Sequence, residues 1–194
     1  MTQKSEQTKA RILRAATEEF ARYGIAGARV DRIAAAAEAN KNLIYMYFGS
    51  KDRLFDEVCE AAVERLVSTV PFEAHDLPGY AGKLFDFYRA HPELLRLARW
   101  QALERPEPAG MPGGRAATEI KLRELAKAQA EGVVDAGMPP ESLLTLVLNL
   151  SAAWSDGSVE GRFDQEDPEL VSARRHWVVV SVGRLTRPPG PQAG

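Results

Sequence analysis

Cysteine is nearly absent: Cys59 is the only one in 194 residues. No intrachain disulfide can form, and a reducing cytoplasm is the expected location. Cys59 itself reads as a small apolar residue on a helix. Histidine is almost as scarce. His75, His91 and His176 lie far apart and show no metal-ligand spacing, so neither a metal nor a cofactor is expected. Long apolar runs are missing too. The longest, Leu143 to Trp154, is interrupted by Thr145, Asn149 and Ser151. It falls short of the ~20 residues that a membrane helix needs. The opening residues MTQKSEQTKAR are polar and lack the apolar core of an export signal. Nor is there a phosphate-binding glycine loop, a Ser-His-Asp arrangement or a catalytic carboxylate pair. No catalytic residue and no enzyme activity are expected.

Acidic and basic residues almost cancel, giving a net charge of −2. That balance argues against bulk affinity for nucleic acid, but the charge is unevenly spread. Residues 1–53 hold ten Lys/Arg and six Asp/Glu, a local charge of +4, which leaves −6 for the remainder. A basic N-terminal third on an acidic body fits a DNA-reading head joined to a body with another task. With 45% hydrophobic and 27% charged residues the chain can bury a sizeable core, as one domain or two small ones.

Helical spacing dominates. Ile12, Leu13, Ala16, Phe20 and Tyr23 recur at three- and four-residue steps and predict a helix over 7–23, stopped at Gly24. Further helices are expected over 29–37, 41–47 (with Asn40 as N-cap), 51–69 (capped by Ser50), 79–90, 92–104, 115–136, 140–155 and 168–186. Residues 71–79 form a break. RPEPAGMPGG at 105–114 reads as a mobile loop and RPPGPQAG at 187–194 as a frayed tail. The run Trp177 to Val182 would suit a strand, but no second strand exists to pair with it, so it is read as helix.

Residues 30–51, VDRIAAAAEANKNLIYMYFGSK, carry the most functional information. Two short helices meet at a tight corner, Glu38-Ala39. The second bears amide, cationic and phenolic groups and no acid, as a helix entering the major groove requires. With its flanks, this segment resembles the TetR family of bacterial transcriptional repressors. The match runs from about Lys9 to Phe55, near a quarter of the chain. It rests on Arg11-Ile12-Leu13-x-Ala15-Ala16, Phe20, Gly24, Val30, Ile33-Ala34, Ala37, Tyr45, Tyr47-Phe48, Ser50-Lys51 and Leu54. The resemblance implies an all-α fold with a three-helix DNA-binding head containing the helix-turn-helix. It also implies a larger helical body that binds a small ligand and dimerises through its last two long helices. Two departures stand out. The family usually has Gly at the helix corner, where this chain has Glu38. It usually has Thr or Ser near the start of the second helix, where this chain has Ala28-Arg29.

Phosphates set register and affinity, and base edges set sequence. Arg29, Tyr47 and Lys51 are the phosphate candidates. By resemblance, Lys41, Asn42, Tyr45 and Met46 match groove-facing positions: Lys41 toward guanine, Asn42 toward adenine and Met46 toward a thymine methyl. Leu43, Ile44 and Phe48 read as core. Tyr45 has two readings, groove contact or a ring packed in the core. In the body, aromatic residues recur at helical spacing. Phe85, Tyr88, Trp100 and Trp154, with the polar Asn149 in an apolar run, are candidates for lining a ligand site. For most of these aromatics core or dimer interface is the plainer reading, and a backbone carbonyl the plainer partner for Asn149.

The expected organisation is a helix-turn-helix domain over 1–50, a ligand-binding and dimerisation domain over 51–186 and a tail over 187–194. The expected protein is a homodimeric, cytoplasmic DNA-binding regulator. It would be a repressor, released from an inverted-repeat duplex operator by a small-molecule effector, with no membrane partner. The rival reading is a helical ligand-binding or sequestering protein with a vestigial helix-turn-helix, for which Glu38 is the best support.

Overall fold

The computed structural model describes residues 3–106, 111–155 and 167–188. Among these are nine α-helices and no strand. They are α1 (Gln3–Gly27), α2 (Val30–Ala36), α3 (Lys41–Phe48), α4 (Lys51–Thr69), α5 (Leu77–Ala90), α6 (Pro92–Glu104), α7 (Gly114–Ala130), α8 (Pro140–Ser151) and α9 (Pro168–Thr186). A short 3-10 turn, Ala74–Asp76, precedes α5. The chain is all-α, as its periodicity predicts, and Trp177 to Val182 is helical within α9.

The helices pack as two compact units. Of the described residues, the head comprises 3–65 with 93–106 and 111–115, and the body 66–92 with 116–155 and 167–188. This division differs from a boundary at residue 50, and the reason is burial. Leu54, Phe55, Val58 and Cys59 of α4 and Leu97 of α6 all sit in the head's core with Ile12, Phe20, Ile33 and Ile44. Phe20 and Phe55 meet edge to face at 5.2 Å. Helices α1 to α3 bury too little apolar surface to stand alone, and α4 and α6 supply the rest. Burial pushes the Cys59 thiol up to about 12, which leaves it a spectator in the core. The body is built around α5, whose Leu77, Tyr80, Ala81, Leu84 and Phe85 are buried. Helices α8 and α9 pack on it and on each other.

Helix starts follow the expected chemistry. The Asn40 side chain accepts from the Asn42 N–H at 2.9 Å, and Ser50 Oγ accepts from the Arg53 N–H at 3.1 Å. Asp167 accepts from the Glu169 N–H at 2.9 Å, with Pro168 as first residue of α9.

Several helix ends differ from the predicted ones. The long run of α1 stops at Gly24, as predicted, where φ 72° and ψ −177° are not helical, and one further turn to Gly27 follows across this kink. A Cβ at Gly24 would stand 2.8 Å from the Trp100 ring and collide with the Glu104 carboxylate, so both space and backbone demand glycine. Helix α7 ends at Ala130, six residues before the expected end. Gly132 turns left-handed at φ 72°, and the N–H groups of Val133 and Val134 fold back on the Ala128 carbonyl at 3.1 and 3.3 Å. Helix α8 ends at Ser151, and Trp154 just beyond it has φ 63°, a strained setting for a bulky residue. Of the loop at 105–114, residues 107–110 lie outside the described residues, as do the tail residues 189–194.

Glu38, the departure at the helix corner, adopts φ 48°. The corner needs a left-handed residue, which explains why the family favours Gly there. A side chain at such a φ costs roughly 1–2 kcal/mol. Glu38→Gly should therefore raise the head's stability by about 1 kcal/mol, whereas Gly24→Ala should lower it by roughly 2 kcal/mol or more. Urea denaturation of the two variants against the parent checks both signs.

Candidate functional site

The reading surface is built on α3. Lys41, Asn42, Tyr45 and Met46 recur at helical spacing on one stripe, and all four are exposed. Tyr45 is 42% and Met46 67% exposed, whereas Ile44 and Phe48 opposite them are 1% and 3% exposed. Of the two readings of Tyr45, the ring packed in the core is therefore set aside. A short helix that holds one apolar face in the core and turns amide, ammonium, phenol and thioether outward has the shape for groove insertion.

The phosphate candidates are placed less uniformly. Arg29 is exposed just ahead of α2. Tyr47 is half-buried, and its hydroxyl shares a 3.0 Å hydrogen bond with Ser5 Oγ, tying the end of α3 to the start of α1. Lys51 is half-buried, and its Nζ donates to the Ala26 and Ala28 carbonyls at 3.4 and 3.3 Å. Both side chains thus also brace the head.

Three acids that sequence reasoning passed over organise this surface. Glu19 of α1 is 9% exposed. It accepts from the Arg29 backbone N–H at 2.8 Å and from Arg32 Nε at 2.8 Å. Helix α2 has no side-chain cap of its own. The Glu19 carboxylate reaches from α1 to the N–H of the residue that precedes α2, the bond that an acid in the third helical position makes in a capping box. The signal was present: Glu19 falls at an inward position of the stripe Ile12, Ala16, Glu19, Tyr23, where an acid needs a partner. Asp31 pairs with Lys41 at 2.8 Å, and this hydrogen-bonded partner holds the Lys41 ammonium above the usual lysine range. Glu104 of α6 accepts from the Ala26 N–H at 2.8 Å, past the Gly24 kink. Beside it the Trp100 indole donates to the Ala21 carbonyl at 3.2 Å, and Arg105 pairs with Asp52 and Asp56 of α4 at 2.6 and 2.7 Å.

The five ligand-site candidates are not brought together. Phe85 and Tyr88 of α5 are buried in the body, at 3% and 9% exposure. Trp100 belongs to the head. Asn149 is exposed and donates to the Thr145 carbonyl at 2.9 Å within its own helix. Trp154 is exposed, with the Arg174 guanidinium 6.0 Å from its ring. Two body residues that periodicity did not single out, Tyr80 and Lys121, lie side by side, with the ammonium 5.7 Å from the phenol ring centroid. No group of His, Cys, Asp or Glu among the described residues is arranged to hold a metal ion, and no described helix is long and apolar enough to cross a membrane.

A short α3 presenting polar groups on one face, set on α1 and α2 across a tight corner, defines a helix-turn-helix DNA-binding transcriptional regulator. Residues 12–58 match the family model described as bacterial regulatory proteins of the tetR family. Residues 76–184 match the tetracyclin repressor-like C-terminal domain. The chain belongs to the TetR family. It is 44% identical over 153 residues to the HTH-type transcriptional repressor SCO4008 of Streptomyces coelicolor, covering 77% of this chain and 79% of that one. The crystal structure of the transcriptional regulator SCO4942 of Streptomyces coelicolor superposes with a TM-score of 0.78 at 36% identity, covering 94% of this chain and 99% of that one. A TetR-like regulator from Rhodococcus shares the fold at 20% identity, with a TM-score of 0.67 and coverage of 91% and 94%. Glu38, the best support for a vestigial motif, fills the left-handed corner and leaves the motif intact.

Glu19 is depressed in a way that fixes a sign. Burial works against its charge, but hydrogen bonds from Arg32 and the Arg29 N–H, with the charges of Arg32 and Arg22, outweigh burial and hold the carboxyl below the usual glutamate range. The folded-state value lies below the unfolded value. The stabilisation is therefore full above the ordinary glutamate pKa of 4.5 and is lost as pH falls through the folded value. Glu19→Gln should cost roughly 1–3 kcal/mol at pH 7. The gap between parent and variant should narrow below about pH 4 in urea titrations.

Proposed function

We propose that the chain is a homodimeric repressor that binds an inverted-repeat operator and leaves it when a small effector occupies the body. The observation that carries the DNA reading is the exposed stripe Lys41, Asn42, Tyr45, Met46 on a helix whose opposite face is buried. In this reading Lys41 and Asn42 contact base edges, Tyr45 and Met46 contact the groove, and Arg29, Tyr47 and Lys51 contact phosphates. Two-fold symmetry would set the two reading helices about 34–36 Å apart, one duplex turn.

Support for the dimer comes from the outward face of α9. Leu170, Ala173 and Trp177 form an exposed stripe there, and Trp177 is 52% exposed. An open groove beside it is lined by Pro168, Ser172, His176 and Trp177. Leu146 of α8 is 41% exposed. Exposed apolar side chains of this size on the last two helices suit a self-complementary interface.

Release would act through population shift: an effector that binds better when the head spacing is wrong lowers DNA affinity. Helix α4 carries that shift, and α6 is a second carrier. Trp100, Glu104 and Arg105 fix its end to α1 and α4 within the head.

Selection of bound sequences from random duplex DNA identifies the operator. Against it, Lys41→Ala and Asn42→Ala should change which sequences are bound, whereas Arg29→Ala and Tyr47→Phe should weaken operator and random DNA alike. The log of affinity should fall linearly with the log of salt, less steeply in Arg29→Ala. Uniform loss in all four variants counts against this assignment of roles. In sedimentation velocity the parent should run as a dimer and Trp177→Glu as a monomer, with operator affinity falling by at least about tenfold. A dimeric Trp177→Glu protein would move the interface elsewhere.

A further inference from the structure

Tyr80 of α5 is 1% exposed, and its hydroxyl has no hydrogen-bond partner among the described residues. Buried hydroxyls are nearly always paired, because an unmade bond forfeits the solvation that water supplied. Lys121 of α7 lies against it, half-buried, with Nζ 5.7 Å from the Tyr80 ring centroid. Every other lysine whose side chain is described has an oxygen partner. Lys9 pairs with Glu57, Lys41 with Asp31 and Lys83 with Glu73, each at 2.8 Å, and Lys127 approaches Glu131 at 4.0 Å. Lys51 donates to two carbonyls. Lys121 has none among the described residues, although burial already depresses its ammonium below the usual lysine range. Its ammonium has the Tyr80 ring for a partner and no oxygen, and it stands beside an orphaned phenol.

The walls around this pair are apolar. Phe72 packs edge-on to Tyr80 at 5.0 Å. Leu84 and Tyr88 follow at four-residue steps on the same face of α5, and both are buried. One cation and one unpaired hydrogen-bond donor beside aromatic and aliphatic side chains are the groups that would recognise an anion with an apolar body.

We propose that Lys121 and Tyr80 form the recognition end of the effector site and select a small apolar carboxylic acid, with the ammonium pairing to the carboxylate and the phenol donating to it. This deepens the reading of the body as effector-responsive and rests on it. A cationic ligand would meet the ammonium's repulsion, and a neutral one would leave the ammonium unpaired.

The test uses the full chain and three matched sets of probes: benzoate, phenylacetate and decanoate, their neutral amides, and the corresponding amines. Binding is read by calorimetry and thermal shift, and release by anisotropy of selected operator DNA. At least one acid should bind on the order of 10-fold or more tightly than its amide and release the DNA. Lys121→Met should weaken that acid by roughly 10–100-fold and leave the amide within about threefold. Tyr80→Phe, which keeps the ring and packing, should weaken it by roughly 3–10-fold. Both variants should bind operator like the parent, which shows that they fold. Equal affinity for acids and amides, or undiminished acid binding in both variants, overturns the inference. So does a panel in which no acid binds. If amides or amines bind and release DNA while acids do not, the acid class is wrong and the effector-released regulator stands. If the chain binds no DNA, that regulator reading fails, and the inference fails with it.

Discussion

The Glu19 carboxylate is the interaction on which the head depends. A helix of seven residues, α2, starts without a side-chain cap of its own. Glu19 accepts from the N–H of Arg29, the residue that leads into α2, so fixing the start of α2 and docking it on α1 become one event. The same oxygen takes the Arg32 Nε, which fixes α2 in rotation as well as position. Helix α3 hangs from α2 by the corner at Glu38, and its direction follows from theirs. A single nearly buried charge, satisfied from two sides, thus aims a reading stripe that it does not touch.

A strained corner is tolerable on such a frame. Glu38 at φ 48° costs free energy that glycine would not. Local strain persists only where surrounding contacts over-determine the backbone. Here Ile33, Ala34 and Ala37 before the corner and Ile44 and Phe48 after it are all buried in one core. The head's core is also larger than a three-helix motif supplies. The first half of α4 and Leu97 of α6 belong to it, and Trp100, Glu104 and Arg105, at and just past the end of α6, bond to α1 and α4. Anything that displaces α6 must break a carboxylate bond to Ala26 or shift an arginine paired to two aspartates.

Much of the fold was legible because period and punctuation agree. Helices α4, α6 and α9 have the predicted ends, since Ser50, Pro92 and Asp167-Pro168 are caps or first residues that act through local chemistry alone. The α3 stripe was legible for the same reason: Ile44 and Phe48 mark its inner face, so the outer one is known. What stayed hidden depends on distant partners. Gly24 reads as a stop and is one, but the approach of Trp100 and Glu104, which also demands glycine there, is visible only in the fold. The end of α7 is set by a fold-back onto Ala128. A boundary at residue 50 leaves out α6, which follows the body helix α5 in the chain and yet places Leu97 in the head's core. Lys121 and Tyr80 carry no motif. Their interest lies in what they lack, a hydrogen-bond partner, and a missing partner is visible only in three dimensions.

The reading surface also carries its own brake. Lys41 is held by Asp31 at 2.8 Å, so a phosphate or base must displace a carboxylate to reach it. A cation already paired gains less from the polyanionic backbone than a free one, and the loss applies to every sequence alike. Asn42, Tyr45 and Met46 are uncharged, and the contacts proposed for them would depend on base identity and not on phosphate density. Pairing the cation in advance therefore lowers non-specific attraction while leaving directional contacts untouched. The net charge of −2 acts the same way at longer range. On the proposed roles, discrimination on this head arises as much from suppressed phosphate affinity as from any single base contact.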